Sequence, residues 1–161
     1  MPLSSKLRRV HDLGNHIHCS SIAKSNVEIG PLPLNFKEIY MTRILYVEDN
    51  EDNIYMLKRW LKRKGFDVSI AEDGQTGVEM AKSEKPDLIL MDLNLPIMDG
   101  WEATSVLKSD TETKDIPIIA LSAHAMTEHK KRALDSGADD YDTKPVDVDR
   151  LLSKINRYLD K

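Results

Sequence analysis

Cysteine is nearly absent. The single Cys19 in 161 residues excludes an intrachain disulfide framework and fits a reducing compartment. No apolar run approaches the roughly 20 residues that a bilayer-spanning helix needs. The basic residues near the N-terminus, Lys6, Arg8 and Arg9, are followed by no apolar stretch of the kind a secretory signal carries. A cytoplasmic protein that does not engage a membrane is therefore expected. A surplus of positive charge is also missing: residues 1–40 carry five Lys/Arg against three Asp/Glu, whereas residues 41–161 carry 18 against 24. A body with net charge −6 is poorly suited to bind nucleic acid through its own surface. The composition, 40% hydrophobic and 31% charged over a one-domain length, is that of an ordinary globular chain.

Sustained hydrophobic periodicity is lacking before Met41. Residues 1–40 mix Ser, His, Asn and Pro with isolated apolar residues, and Gly30-Pro31-Leu32-Pro33 punctuates the stretch. This segment is expected to be largely disordered, or to reflect an upstream start codon, with the folded domain spanning 41–161. From Arg43 the pattern becomes regular. Short apolar runs at 44–47, 68–71, 88–92 and 116–121, and a weaker one at 138–142, alternate with helical stretches. These helices are expected ahead of Gly65, at about 74–83, 99–109 and 124–136, and over 148–159. Ile54, Leu57, Trp60 and Leu61 recur on one helical face, Gly65 suits a helix C-terminus, and Asp99 suits an N-cap. Strands that alternate with helices imply βαβ units, hence an α/β fold with a doubly wound five-stranded parallel sheet and helices on both faces. The flavodoxin-like order 2-1-3-4-5 is expected, with the site where that order reverses, between strands 1 and 3.

The chemically active residues cluster at these strand ends. Glu48-Asp49 follow the first strand, Asp92 ends the third, Ser122 follows the fourth, and Lys144-Pro145 follow the fifth. Parallel strands bring these C-terminal ends to one crevice. Three carboxylates a few ångströms apart repel unless a cation or protons compensate. Mg²⁺ is the natural choice, being hard, content with few protein ligands and willing to take a phosphate oxygen. A carboxylate can accept a phosphoryl group, and an ammonium and a hydroxyl can hold it there. Taken alone, an acidic pair at a strand end is most often a solvated loop or cap; the joint occurrence at four strand ends carries the argument.

These residues resemble the receiver domain of two-component response regulators over Met41–Lys161. Ile44-Leu45-Tyr46-Val47-Glu48-Asp49-Asn50 is similar to the first strand and acidic pair of that family, and Asp92-Leu93-Asn94-Leu95-Pro96-Ile97-Met98-Asp99-Gly100 to its phosphoacceptor loop. Ala120-Leu121-Ser122-Ala123 and Lys144-Pro145 are similar to its switch and lysine motifs. The resemblance implies that Asp92 accepts a phosphoryl group from a histidine kinase or a histidine phosphotransfer protein. It implies Mg²⁺ on Asp49, Asp92 and the Asn94 backbone carbonyl, with Glu48 acting largely through water. It further implies that Ser122 closes on the phosphate, that Tyr141 changes rotamer with it, that Lys144 pairs with the phosphate or Asp92, and that the Lys144-Pro145 peptide is cis. Glu48 in place of Asp, Ser122 in place of Thr and Leu95 in place of Met are departures that preserve charge, hydroxyl and volume.

Other residues are weighed more plainly. The resemblance associates the position of His124 with the rate of dephosphorylation, although the residue alone reads as an exposed one at a helix start. His124 and His129, five apart, should not share a helix face. The fourth helix has a thin apolar face, Ala125, Met126, Ala133 and Leu134, as a displaceable switch element would. Trp101 is expected to be a partner contact or partly buried. His11, His16, His18 and Cys19 read as scattered polar residues rather than a metal site. The expectation is thus a stand-alone switch that signals to a downstream protein target or by onward phosphotransfer, with only self-phosphorylation and self-dephosphorylation as chemistry. Its rivals are a phosphorylation-independent docking module and a haloacid-dehalogenase-like phosphatase. The latter would place its nucleophile after the first strand, with a second Asp two residues on, where this chain has Asn94.

Overall fold

The computed structural model describes residues 41–124 and 127–160. Ten elements alternate within them: β1 (Arg43–Val47), α1 (Glu51–Arg63), β2 (Asp67–Ala71), α2 (Gly74–Glu84), β3 (Leu88–Asp92), α3 (Gly100–Ser109), β4 (Ile118–Ser122), α4 (Thr127–Asp135), β5 (Asp140–Thr143) and α5 (Val148–Leu159). The strands are all parallel and stand in the order β2-β1-β3-β4-β5, which is the expected doubly wound flavodoxin-like sheet. The order reverses between β1 and β3, so the loops after these two strands open a crevice at their C-terminal ends.

Period-two alternation divides the strand residues between two cores. Ile44, Tyr46, Leu88, Leu90, Ile119 and Leu121 pack with Leu57 and Leu61 of α1 and Leu151 and Ile155 of α5. Leu45, Val47, Ile89, Met91 and Ile118 pack with Val78 and Ala81 of α2 and Ala103 and Leu107 of α3. Every residue of β3 and β4 is buried, which explains why both read as unbroken apolar runs. Side-chain caps fix where the helices begin. Asn50 accepts from the Asn53 amide at 3.0 Å, and Asp99 from the Glu102 amide at 2.8 Å. Gly65 takes a left-handed φ of 89° beyond the end of α1, as its position predicted.

The boundaries differ in three places. β4 begins at Ile118 rather than Ile116, because Pro117 has no N–H for the ladder, although its carbonyl accepts from Ile89 at 2.9 Å. β5 runs over 140–143 rather than 138–142, its register set by pairing of Ile119 with Asp140 and Ser122 with Thr143. α4 begins at Thr127, so His124 stands outside it. Of the apolar face expected on α4, Ala133 is buried but Leu134 is 42% exposed; Ala125 and Met126 lie outside the described residues, as do residues 1–40 with His11, His16, His18 and Cys19. No described helix is long and apolar enough to cross a membrane.

Candidate functional site

Glu48 and Asp92 are carboxylates in the interior. Glu48 is 1% exposed and Asp92 4%, while Asp49 between them in the crevice is open to solvent. β1 and β3 are neighbours in register, with Val47 opposite Met91, so the residues that follow each strand are driven together by the ladder itself. One carboxylate oxygen from each of Glu48, Asp49 and Asp92 lies within 4.8 Å of the others. A cluster of hard oxygen donors with one face open to solvent fits a hard divalent cation that keeps part of its water shell.

Lys144 provides the positive charge among these groups. Its Nζ lies 2.5 Å from Glu48 Oε2 and 2.9 Å from Asp92 Oδ2, crossing from the far edge of the sheet. Its backbone N–H donates to the Ser122 carbonyl at 2.7 Å, and the following peptide, Lys144-Pro145, is cis as the resemblance implied. Glu48 is held further by the Tyr46 hydroxyl at 2.9 Å and the Asn50 amide at 3.2 Å; Asp92 accepts from the Asn94 amide at 3.2 Å. The two buried acids therefore differ. Burial raises Asp92 above the ordinary carboxylate range, the Glu48 charge adds to that, and the Lys144 contact only partly offsets it. Burial acts on Glu48 in the same sense, but the bonds from Lys144, Tyr46 and Asn50 together bring it below the usual value. Lys144 is half-buried, which disfavours its charge, yet its bonds to Glu48 and Asp92 win and its ammonium is raised. Burial, followed by the field of Glu48, pushes the Tyr46 phenol far upward, so it remains a donor.

Ser122 and Tyr141 meet at a single peptide group. Ser122 Oγ, buried at the end of β4, accepts from the His124 N–H at 3.1 Å, and the Tyr141 hydroxyl donates to the His124 carbonyl. The two residues expected to move together are thus joined through the His124 backbone. Tyr141 is buried with Leu93, Ala120, Ala133 and Ala138, and Trp101 packs half-buried against this group with the Arg132 guanidinium 4.6 Å from its ring centre. His124 and His129, not expected to share a helix face, are nonetheless in contact. Their rings stack at 4.8 Å, because His124 precedes the helix and helical spacing does not govern it.

Sequence reasoning missed the roles of Tyr46 and Arg150. Tyr46 stands two residues before Glu48, hence on the same side of a strand, a signal that was available. Arg150 contacts Asp142 and Thr143 across a turn, and no local pattern announces that pairing.

The sequence matches the response regulator receiver domain over residues 44–156. It is 42% identical over 119 residues to Protein PilH of Pseudomonas aeruginosa, covering 74% of this chain and 98% of that protein. It is 34% identical over 155 residues to hybrid signal transduction histidine kinase I of Dictyostelium discoideum, covering 92% of this chain but only 9% of the kinase's length. Among solved structures it is similar to the receiver domain of a sensor histidine kinase of Pseudomonas aeruginosa, with a TM-score of 0.71 and 33% identity. That likeness covers 76% of this chain and 100% of that one, whose crystal structure has a magnesium ion coordinated in the active site cleft.

Proposed function

The chain belongs to the response regulator receiver domain family and is a phospho-accepting signalling switch rather than a classical enzyme; from that premise we propose that Asp92 is its phosphoacceptor. The observation that carries this reading is the Lys144 ammonium, seated between Glu48 Oε2 and Asp92 Oδ2 at 2.5 and 2.9 Å. An ammonium that touches one acceptor oxygen is within reach of any group the other acquires.

A carboxylate oxygen of Asp92 attacks the phosphorus of a phosphohistidine offered by a histidine kinase or a histidine phosphotransfer protein. The P–N bond breaks, an acyl-phosphate P–O bond forms, and the departing imidazole takes a proton from solvent. Asp49, Asp92 and the Asn94 backbone carbonyl, with Glu48 beside them, would hold Mg²⁺, which would supply neutralising charge for the transferred group. Lys144 remains protonated and passes from the Asp92 carboxylate to a phosphoryl oxygen, while Glu48 keeps hold of its other side. Ser122 donates its hydroxyl to the phosphoryl group. Tyr141, bonded to the same His124 peptide that Ser122 contacts, carries that change to the surface of α4, β5 and α5. A downstream protein target reads the change there, or the phosphoryl group moves onward to another histidine. Couplings of this kind are typically about 1–3 kcal/mol. Slow attack of water on the acyl phosphate resets the switch.

Incubation with a radiolabelled small phosphodonor tests this reading. Labelling is expected with Mg²⁺ and not with excess chelator, and Asp92→Asn is expected to abolish it. Persistent labelling of that variant would remove Asp92 from the role.

A further inference from the structure

Asp142 is an aspartate where the sheet asks for an apolar residue. It lies in β5 opposite Leu121 of β4 and is 3% exposed. Its Oδ1 accepts from Arg150 Nε at 2.8 Å, with Arg150 Nη2 at 2.5 Å, and from the Thr143 amide at 2.7 Å. Its Oδ2 accepts no hydrogen bond among the described residues, although Lys154 Nζ stands 3.8 Å away. Only the Asp142 half of this ion pair is buried, since the Arg150 side chain is 45% exposed, so the pair is a modest source of stability. Its geometry is the more informative property here.

That geometry closes around Lys144. Arg150 sits in the first turn of α5, where the Asp147 carboxylate fixes its backbone N–H at 3.0 Å. Its side chain reaches back over the turn of residues 144–147, and Nη2 meets both the carbonyl and the hydroxyl of Thr143 at 3.4 Å. On the opposite side the Lys144 amide is fastened to the Ser122 carbonyl at 2.7 Å. The backbone that bears Lys144 is therefore tied to β4 on one side and to α5 on the other. We propose that Arg150 is a positioning residue: its fork, bonded to Asp142 and Thr143, brackets the turn after β5 and holds the Lys144 ammonium in reach of Asp92. This rests on the reading of Lys144 as the partner of the transferred phosphoryl group. Arginine suits the task because its planar fork addresses two acceptors at once, whereas a lysine offers a single ammonium. Displacements of about 1 Å at a reacting centre cost up to roughly 100-fold in rate.

The test separates positioning from stability. The double variant Asp142→Leu/Arg150→Met removes the buried carboxylate together with its partner and is expected to melt close to the parent's temperature. Its labelling by a small phosphodonor at saturating Mg²⁺ is expected to be roughly tenfold slower. In Arg150→Lys, which keeps the charge, labelling several-fold slower than the parent is expected without loss of melting temperature. The Lys144 ammonium resonance, followed by NMR without phosphodonor, is expected to shift in both variants. Parental labelling rates in either folded variant, or an unmoved Lys144 resonance, would overturn the proposal. Absence of labelling in the parent would instead overturn the reading of Asp92.

Discussion

At the scale of single residues, the site is held to tolerances set by backbone as much as by charge. Gly100 opens α3 directly against the end of β3. A Cβ there would stand 2.0 Å from the Asp92 carbonyl oxygen and 2.7 Å from the Leu93 Cα, neither of which can turn away as a side chain does. Gly65 differs, having a φ of +89° and open space around the same atom. Gly100→Ala is therefore expected to cost about 2–3 kcal/mol in urea unfolding, with slower labelling of Asp92 as the strand end shifts. Gly65→Ala is expected to cost only about 1–2 kcal/mol and to leave labelling unchanged. Equal costs would show that the contact with the Asp92 backbone does not matter. Of the residues at the site, those at strand ends were legible because parallel strands make adjacency a matter of counting. Glu48, Asp49, Asp92, Ser122 and Lys144 all belong to that class. The pairing of Lys144 with Glu48 was not, since it depends on how far a flexible side chain reaches past the two strands between β5 and β1.

At the scale of elements, the strands follow from apolar runs and the helices from their caps. Asp73 shows how local that control is. It caps α2 by accepting from the Thr76 amide at 2.7 Å and from the Thr76 hydroxyl at 2.7 Å. The amide bond first, and then the hydroxyl bond, hold its carboxyl below the ordinary value of 3.8. A lowered folded value means that the ionised cap contributes stability above the unfolded value, and that this contribution is lost as pH falls through the folded one. Asp73→Ala is expected to lose about 1 kcal/mol at neutral pH. The gap in melting temperature between parent and variant should narrow below about pH 4. In Asp73→Asn the cap is kept without the charge, so its own gap to Ala should not depend on pH; a gap that stays constant for the parent would count against the ionised cap. Element edges were less legible than element cores. Pro117 delayed β4, and the N-terminal limit of α4 lay three residues beyond the expected one because His124 is bound by Ser122 and Tyr141 rather than by a helical turn.

At the scale of the whole sheet, the parallel order brings Glu48, Asp49, Asp92 and Lys144 into one cluster and sets Ser122 at the adjoining strand end. The strand order puts β1 and β3 side by side for the carboxylates, and puts β4 and β5 beyond them for the hydroxyl and the ammonium. That much was legible from the alternation of runs, because a doubly wound sheet has few allowed orders. The packing of Tyr141 and Trp101 over α4 was not, because it is settled by contacts among residues distant in sequence. The phosphoryl group proposed for Asp92 is open to direct chemical detection. Reduction of the freshly labelled protein with borohydride, which converts an acyl phosphate to the alcohol, followed by peptide mass spectrometry, tests it most directly. A Mg²⁺-dependent homoserine is expected at position 92 and at no other acidic residue. Reduction at Asp49 or Glu48, or a label that survives borohydride as a phosphoester on Ser122, would contradict it.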